Sequence, residues 1–260
     1  MRVLYTGGTG RMGVVIREGL QGSYEDVCLY ARHAPTVLHD REYVVLGTLG
    51  DLDLLTEAAR DVDVIVHLGG IADESSFDDI LESNIVGTRN VYEAAKVAGV
   101  RRVVYASSNH VIGFHPVQQT LDPQAPMRPD TLYGLSKAYG ELMGQLYHDK
   151  WGVESVCLRI GSFRPEPEDR RQLSTWLSHR DGISLFHRSI VAQDIGFLTA
   201  YGVSANTHSW WDNGAAAAAL GYEPLDDAES FADSVEAAHQ DDCSHQGGIF
   251  TADDYTGGAW

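Results

Sequence analysis

Tyr133 and Lys137 are the two residues of this sequence whose types and spacing most directly suggest chemistry. They lie four residues apart in RPDTLYGLSK (128–137), a segment typical of the start of a helix. Because four residues are just over one helical turn, both side chains would share a face. A phenol with a pKa of about 10 stays protonated near neutral pH, and a neighbouring ammonium favours its ionised form. The spacing therefore predicts a general base, unless the two residues form a plain surface pair.

A hydroxyl that could assist this base ends an apolar run earlier in the chain. Ser108 closes VVYASS (103–108), which is typical of a buried strand. Its hydroxyl could donate to the oxygen of a reacting alcohol and orient that oxygen's lone pairs. The alternative is that Ser107 and Ser108 only cap the turn after the strand.

A glycine-rich turn follows the first apolar run of the chain. TGGTGRMG (6–13) places Gly7, Gly10 and Gly13 between the strand-like RVLYT and the amphipathic RMGVVIREGL. Such glycines permit a tight turn, close approach of a pyrophosphate and close helix–strand packing. The N–H groups at the start of the following helix would then meet the phosphate charge. Because the strand–turn–helix context is the one that this motif requires, the pattern predicts a dinucleotide site.

The end of the second predicted strand bears on the choice of cofactor. A cofactor without a 2′-phosphate usually has its ribose bound by an acidic residue at this position. The run CLYARHAP (28–35) instead has Ala31, Arg32 and His33. Arg32 could pair with a 2′-phosphate, unless it is only a solvated side chain on a loop. We therefore expect NADP as the preferred cofactor, with NAD also possible.

The elements that must position these residues alternate between apolar strands and amphipathic helices from residue 2 to about residue 160. This alternation predicts an α/β fold with a doubly wound parallel sheet, the Rossmann fold. We expect one domain over 1–260 with a small C-terminal substrate-binding lobe, whose elements lie mainly within 162–260. There, 173–190 resembles a pair of helices, 195–204 a strand, 215–220 and 231–240 short helices, and the glycine-containing tail a loop.

The charge and cysteine content limit the classes of partner. Acidic residues outnumber basic ones by 37 to 19, for a net charge of −18, which disfavours nucleic acid and anionic membranes as partners. We expect no membrane span, because no long apolar run occurs, and no cleaved signal, because the chain leads directly into a strand.

Cys28, Cys157 and Cys243 are odd in number, which favours free thiols and a cytoplasmic location. The histidines show no metal-ligand spacing, so we expect no metal. The acidic, lysine-poor composition resembles that of proteins from salt-loving organisms.

Several blocks of the chain resemble the extended short-chain dehydrogenase/reductases, and more closely the uronate dehydrogenases and their sugar 1-dehydrogenase relatives. The blocks are HLGGI (67–71), ASSNHVIG (106–113), RPDTLYGLSK (128–137), RIGSFRPEP (159–167), LSTWLSH (173–179) and SANTHSWWDN (204–213). They run over most of the chain, and the last three are much more specific than the superfamily motif.

The resemblance implies a role for each matching position. Tyr133 matches the catalytic base, Lys137 its partner and Ser108 the hydroxyl that holds the reacting oxygen. The matching sugar-binding positions are Asn109, His110 and Ser162, and Arg171, which binds a carboxylate in the uronate enzymes. Phe163 matches a residue beside the nicotinamide amide. The other positions expected at the cofactor are Arg11, Met12, Thr48, Leu49, Leu68, Gly69 and Ile160.

The implied reaction is oxidation of the C1 hydroxyl of a cyclic sugar to a lactone, with hydride transfer to the cofactor. Two departures leave the sugar open between a uronate and a neutral aldose such as a pentose. Ala72 stands where the family has a serine, and Ala31 replaces its ribose-binding acid. The resemblance also implies a homodimer or homotetramer, paired through the helices around 77–98 and 133–151.

Several alternatives stay open at this point. The chain could be a nucleotide-sugar epimerase or dehydratase, although its C-terminal part is short for one, or a non-catalytic NADP-sensing protein. His110 could be a packed core residue and Arg171 part of a solvated charge cluster. Trp210 and Trp211 are more typical of core or interface aromatics than of sugar platforms.

Overall fold

Seven parallel strands form the central sheet of the computed structural model, which describes residues 1–236 and 244–258. Their order across the sheet is β3-β2-β1-β4-β5-β6-β9. They are β1 (Arg2–Thr6), β2 (Asp26–Ala31), β3 (Glu42–Leu46), β4 (Val64–His67), β5 (Arg102–Ser108), β6 (Glu154–Ile160) and β9 (Phe197–Gly202). Strands β4 and β5 are buried along their whole length, which explains their nearly continuous apolar sequences. The predicted doubly wound parallel sheet is confirmed.

Helices cover both faces of the sheet. The helices are α1 (Arg11–Gly19), α2 (Leu52–Ala58), α3 (Phe77–Ile80), α4 (Gly87–Ala98), α5 (Leu132–Trp151), α6 (Gln172–Thr175), α7 (His179–Val191), α8 (Gly214–Leu220) and α9 (Ala232–Glu236). Helices α1, α7 and α8 pack together on one face, and α2, α4 and α5 on the other. The predicted helical stretch 77–98 is present, with a π-helical turn at Leu81–Val86 between α3 and α4. None of the helices that the structure describes is long and apolar enough to cross a membrane.

Helix α5 packs against the sheet through glycines that leave no room for a side chain. A Cβ atom at Gly140 would overlap the ring of Tyr105 on β5, and one at Gly144 would overlap the Ser155 hydroxyl on β6. Thr131 begins the helix, since its hydroxyl accepts from the N–H of Gly134 at 2.9 Å. This close packing sets the distance between the first turn of α5 and the end of β5.

The region 173–190 differs from the predicted pair of helices. Helix α6 is a single turn, and Trp176–Leu177 forms a short strand, β8, that pairs with β7 (Ser162–Phe163) before α7 begins. The backbone is drawn out of the helix because the carbonyl of Trp176 accepts from the N–H of Ser204 at 2.9 Å and from Nδ2 of Asn206 at 2.8 Å. Long-range hydrogen bonds therefore override the helical pattern of this segment.

The C-terminal segments agree in part with the prediction. Residues 215–220 lie in α8, and the predicted helix 231–240 is described as far as Glu236. Its remainder and Cys243 lie outside the described residues. The tail predicted as loop contains a 3-10 turn at Gly248–Thr251. Cys28 and Cys157 are buried free thiols.

Candidate active site

A cavity of about 370 Å³ opens where β1, β4, β5 and β6 end. This is the carboxyl edge of the sheet, where open α/β folds bind ligands. Twelve of the predicted site residues line it: Gly7, Gly10, Arg11, Met12, Gly13, Leu68, Ser108, Asn109, Tyr133, Lys137, Ile160 and Phe163. The other predicted residues lie outside its lining: Arg32, Thr48, Leu49, Gly69, His110, Ser162 and Arg171. Ala72, the site of the missing family serine, lines the cavity.

The glycine-rich turn has the geometry that a bound dinucleotide needs. Gly7 has a φ of +69°, which disfavours any residue with a side chain. A Cβ atom at Gly13 would lie 2.5 Å from the carbonyl oxygen of Gly7. Gly10 is the N-cap of α1 and makes no side-chain cap hydrogen bond, and residues 10–13 line the cavity. These features fit a pyrophosphate bound at the N-terminus of α1.

Ser108, Tyr133 and Lys137 come together at the floor of the cavity, all three buried. The side chain of Ser108 is close enough to the Tyr133 hydroxyl to lower the pKa of that phenol. The ammonium of Lys137 donates to the carbonyl of Ala106 at 2.8 Å and lies 5.6 Å from the Tyr133 ring centre. The backbone N–H of Tyr133 donates to Glu74 Oε2 at 2.9 Å, which ties the start of α5 to the loop after β4.

The spacing of Tyr133 and Lys137 suggested a lowered pKa for Tyr133, but in the folded protein the net shift of this pKa is upward. Burial raises the pKa of Tyr133 to about 12; the Ser108 side chain opposes this, and the charges of Asp130 and Asp73 add to it. Burial also lowers the pKa of Lys137 to about 8. Helical spacing placed the pair on one face, but the ammonium bonds a main-chain carbonyl rather than the phenol.

A second polar group lies next to Ser108 in the chain and includes Asn109, Ser162 and Arg171. Arg171 donates through Nη1 to the Ser162 hydroxyl at 3.5 Å. The Asn109 amide satisfies its partners when its nitrogen donates to the carbonyl of Ile160 at 3.0 Å and its oxygen accepts from Arg171 Nη2 at 2.6 Å. Arg171 is therefore part of a bonded group that reaches the cavity through Asn109, not of a solvated charge cluster.

Comparison with known proteins assigns the chain to a family. The sequence profile of the NAD dependent epimerase/dehydratase family matches residues 3–182. The chain belongs to that family. A uronate dehydrogenase from Pseudomonas syringae pv. tomato is 45% identical over 258 residues, covering 96% of this chain and 93% of the relative.

Two further relatives agree with this assignment. A mutant of the uronate dehydrogenase from Agrobacterium tumefaciens, solved in complex with NAD, is 40% identical with a TM-score of 0.91, covering 96% of each chain. An L-arabinose 1-dehydrogenase (NAD(P)(+)) from Haloferax volcanii is 31% identical and covers 87% of this chain and 97% of the relative. The predicted resemblance is confirmed, and the protein is an NAD(P)-dependent dehydrogenase of the epimerase/dehydratase family.

Arg32, the residue predicted to face the cofactor ribose, directly follows β2 in this family member. Register pairs Tyr30 with Thr6, so the end of β2 lies beside the glycine-rich turn. Ala31 is buried, whereas the Arg32 side chain is exposed and makes no hydrogen bond or ion pair with any residue that the structure describes. The carbonyl groups of Thr48 and Leu49 accept from Tyr30 and Asn90.

Sequence reasoning missed a buried ion pair between α5 and β6 of the dehydrogenase. Arg159 on β6 donates to both oxygens of Glu141 on α5, at 2.9 Å from Nε and 2.8 Å from Nη2. Ser107 donates to Glu141 Oε1 at 2.6 Å. The signal was available, because Glu141 follows Lys137 by one helical turn, but only the fold shows that it meets Arg159.

Sequence reasoning also missed the part that the tail plays. The Gln246 carbonyl accepts from Arg171 Nε at 2.8 Å, and its side-chain oxygen accepts from Trp211 Nε1 at 2.8 Å. Phe250 stacks on His110 with ring centres 3.8 Å apart, and the Tyr255 hydroxyl donates to Asp73 at 2.5 Å. The tail of the dehydrogenase therefore closes the side of the site that holds Arg171. Trp211 is buried against Tyr201, as expected for a core aromatic.

Within residues 1–236 and 244–258, no group of three or more His, Cys, Asp or Glu side chains is arranged to hold a metal ion.

Proposed function

We propose that this dehydrogenase oxidises the C1 hydroxyl of a cyclic uronate to the lactone. The observation that carries the proposal is Arg171, whose guanidinium is oriented by Ser162, Asn109 and the Gln246 carbonyl beside the catalytic residues. A guanidinium is a permanently charged planar group whose geometry matches that of a carboxylate. The names of the uronate dehydrogenase relatives support the same substrate class.

The roles of the chain's own groups follow from their placement. Tyr133 would take the proton from the C1 hydroxyl, and Ser108 would hold the oxygen of that hydroxyl with its lone pairs oriented. When bound, the nicotinamide cofactor accepts the hydride that leaves C1. Lys137, anchored on Ala106, would place a positive charge near the phenolate that forms. The walls of the cavity hold the reacting atoms in position and exclude water.

A neutral aldose is the second candidate substrate. It is favoured by Ala72, which lines the cavity without the hydroxyl that the family's serine would supply. A site that loses one sugar contact is less selective for the sugar that used that contact.

Matched pairs of sugars test the choice between the two. We expect kcat/KM for glucuronate and galacturonate to exceed that for glucose and galactose. Arg171→Ala should reduce kcat/KM for the uronate by roughly 10- to 150-fold, as for a charged hydrogen bond, and that for the neutral hexose much less. Arg170→Ala, which removes the exposed neighbouring arginine, is the control and should change neither. Equal losses on both sugars in Arg171→Ala would show that this residue does not bind a carboxylate.

NADP is proposed as the preferred cofactor. The support is the exposed guanidinium of Arg32 at the end of β2 and the absence of an acid among residues 31–33. Loss of a repelling carboxylate and gain of an attracting guanidinium both favour a 2′-phosphate.

A homodimer or homotetramer is proposed through the face made by α4 and α5. This face carries exposed apolar side chains, with exposed fractions of 53% for Leu135, 60% for Leu142, 41% for Leu146 and 61% for Val97. Leu135, Leu142 and Leu146 are spaced by seven and four residues, so they share one side of α5. A continuous apolar stripe on the outside of a helix is typical of an interface.

A further inference from the structure

Asp130 is a buried carboxylate whose partner is His110, the predicted sugar-binding residue two positions after Ser108. Its Oδ2 lies 2.7 Å from Nδ1 of His110, with side-chain exposures of 0% and 3%. Its Oδ1 accepts from the Thr131 hydroxyl at 3.0 Å. Both residues belong to segments that carry the catalytic set, since His110 follows Ser108 by two residues and Asp130 precedes Tyr133 by three.

The surroundings leave this pair little freedom to move. A Cβ atom at Gly113 or Gly247 would overlap the Asp130 carboxylate. The Phe250 ring covers one face of the imidazole, and the Tyr133 ring lies 5.9 Å away. The backbone N–H of His110 donates to the Ser108 hydroxyl at 3.2 Å. The imidazole is thus held by contacts from three separate segments of the chain.

The carboxylate decides which ring nitrogen carries the proton. An ionised carboxylate only accepts hydrogen bonds, so Nδ1 of a neutral imidazole must be the protonated nitrogen and Nε2 the acceptor. Nε2 makes no hydrogen bond to any residue in the described part of the chain. We infer that Asp130 is a positioning residue that fixes this tautomer of His110, so that Nε2 accepts a hydrogen bond from a substrate hydroxyl. This inference rests on the proposed oxidation of a sugar.

Asp130→Asn is the direct test, because asparagine keeps the shape and can donate to Nδ1, which moves the proton to Nε2. Nε2–H would then donate to the sugar oxygen, and the sugar hydroxyl would lose the acceptor that it has in the unmodified protein. We expect kcat/KM for the sugar to fall by roughly tenfold or more, while the dissociation constant for NADP stays within about twofold. In a panel of monodeoxy sugars, one member should show the same kcat/KM with both proteins, because it lacks the hydroxyl that Nε2 binds.

The tautomer of His110 can be measured by NMR without any assay of enzyme activity. We expect the ¹⁵N spectrum of the unmodified protein to show His110 protonated on Nδ1 and that of Asp130→Asn to show it protonated on Nε2, with the signal assigned by its loss in His110→Gln. The control is Asp181→Asn, which removes another buried carboxylate whose partners, the N–H groups of Leu225 and Asp226, lie on a different segment. It should change stability but neither the sugar KM nor the His110 signal.

Three results would overturn the inference. One is an unmodified protein with His110 protonated on Nε2, which requires no variant to fold. The second is an Asp130→Asn variant whose sugar kinetics match those of Asp181→Asn. The third is a loss in Asp130→Asn that is the same for every monodeoxy sugar. Failure of the unmodified enzyme to oxidise any sugar would instead refute the proposed function, and the spectrum would still report the tautomer.

Discussion

At the scale of single residues, the burial of Tyr133 raises its pKa and so opposes the loss of its proton. Its environment raises the pKa to about 12, so near neutral pH the isolated site holds a phenol rather than a phenolate. If Tyr133 is the proposed base, its proton must leave as part of the reaction, and the positive charge of an oxidised nicotinamide would favour that loss. For a group that acts deprotonated, turnover should rise with pH until that proton is lost.

Tyr133→Phe should lower kcat by about 10²–10⁴-fold, because general base catalysis contributes that much. The cofactor dissociation constant should stay nearly unchanged, since the ring remains. Tyr139→Phe, on the same helix and outside the cavity lining, is the matched control and should keep full activity. Steady-state kinetics decide the matter, and a Tyr133→Phe variant with more than about a tenth of the normal kcat would remove Tyr133 as the base. Adding NADP⁺ should also lower the pKa of Tyr133. A pH titration of the tyrosinate absorbance measures this pKa, and the signal of Tyr133 is the one that Tyr133→Phe lacks.

Arg32 belongs to the same scale, because one exposed side chain carries the proposed cofactor preference. Arg32→Leu should lower kcat/KM for NADP by roughly 10- to 150-fold, the loss of a charged hydrogen bond, and leave that for NAD within about twofold. Arg188→Leu removes an exposed arginine from α7 and should alter neither. Titrations of both cofactors at one salt concentration are needed, since salt screens exposed charges. If the unmodified enzyme prefers NAD, Arg32 is a solvated side chain.

At the scale of elements, the Glu141–Arg159 pair connects α5 with β6. Its side chains are 1% and 3% exposed. Breaking a buried pair by removing one partner leaves an uncompensated charge, which costs about 3–5 kcal/mol. The pair also holds Ser107, so its loss disturbs the end of β5 beside Ser108.

Glu141→Gln should therefore lower the free energy of unfolding by about 3–5 kcal/mol. Glu57→Gln breaks the exposed Glu57–Arg60 pair, whose side chains are 64% and 68% exposed, and should cost about 0–1 kcal/mol. Urea unfolding measures both. Replacing Glu141 and Arg159 together by Leu and Met should recover most of the loss. A Glu141→Gln variant as stable as Glu57→Gln would mean that the pair does not hold the elements together.

At the scale of the whole molecule, a net charge of −18 opposes association between copies at low salt. The α4–α5 face nevertheless exposes a stripe of leucines to water. An interface there would bury the stripe and remove apolar surface, at about 25 cal/mol per Å².

Leu142→Glu should therefore shift the protein to monomer, because it would place a charge inside that interface. Leu225→Glu, at a residue that is 69% exposed and away from the face, should leave the assembly unchanged. Sedimentation velocity at matched concentration and salt distinguishes the two. An assembly that survives Leu142→Glu must use another surface.

Sequence alone determined the features of this protein that depend on neighbours along the chain. Alternating apolar strands and helices predicted the doubly wound sheet, and the glycine spacing predicted a tight turn, in which the structure gives Gly7 a positive φ. Helical spacing put Tyr133 and Lys137 on one face of α5. These predictions hold because strand and helix periods and glycine's freedom are local properties of the backbone.

The tertiary structure decided whatever depends on residues far apart in sequence. It brought Gln246 to Arg171, Asp130 to His110 and Glu141 to Arg159, contacts that no local pattern encodes. It drew residues 176–177 out of a helical pattern, because distant backbone groups offered hydrogen bonds. It also set the direction of the Tyr133 pKa shift, because a pKa follows burial and surrounding charges, and only the folded chain creates them.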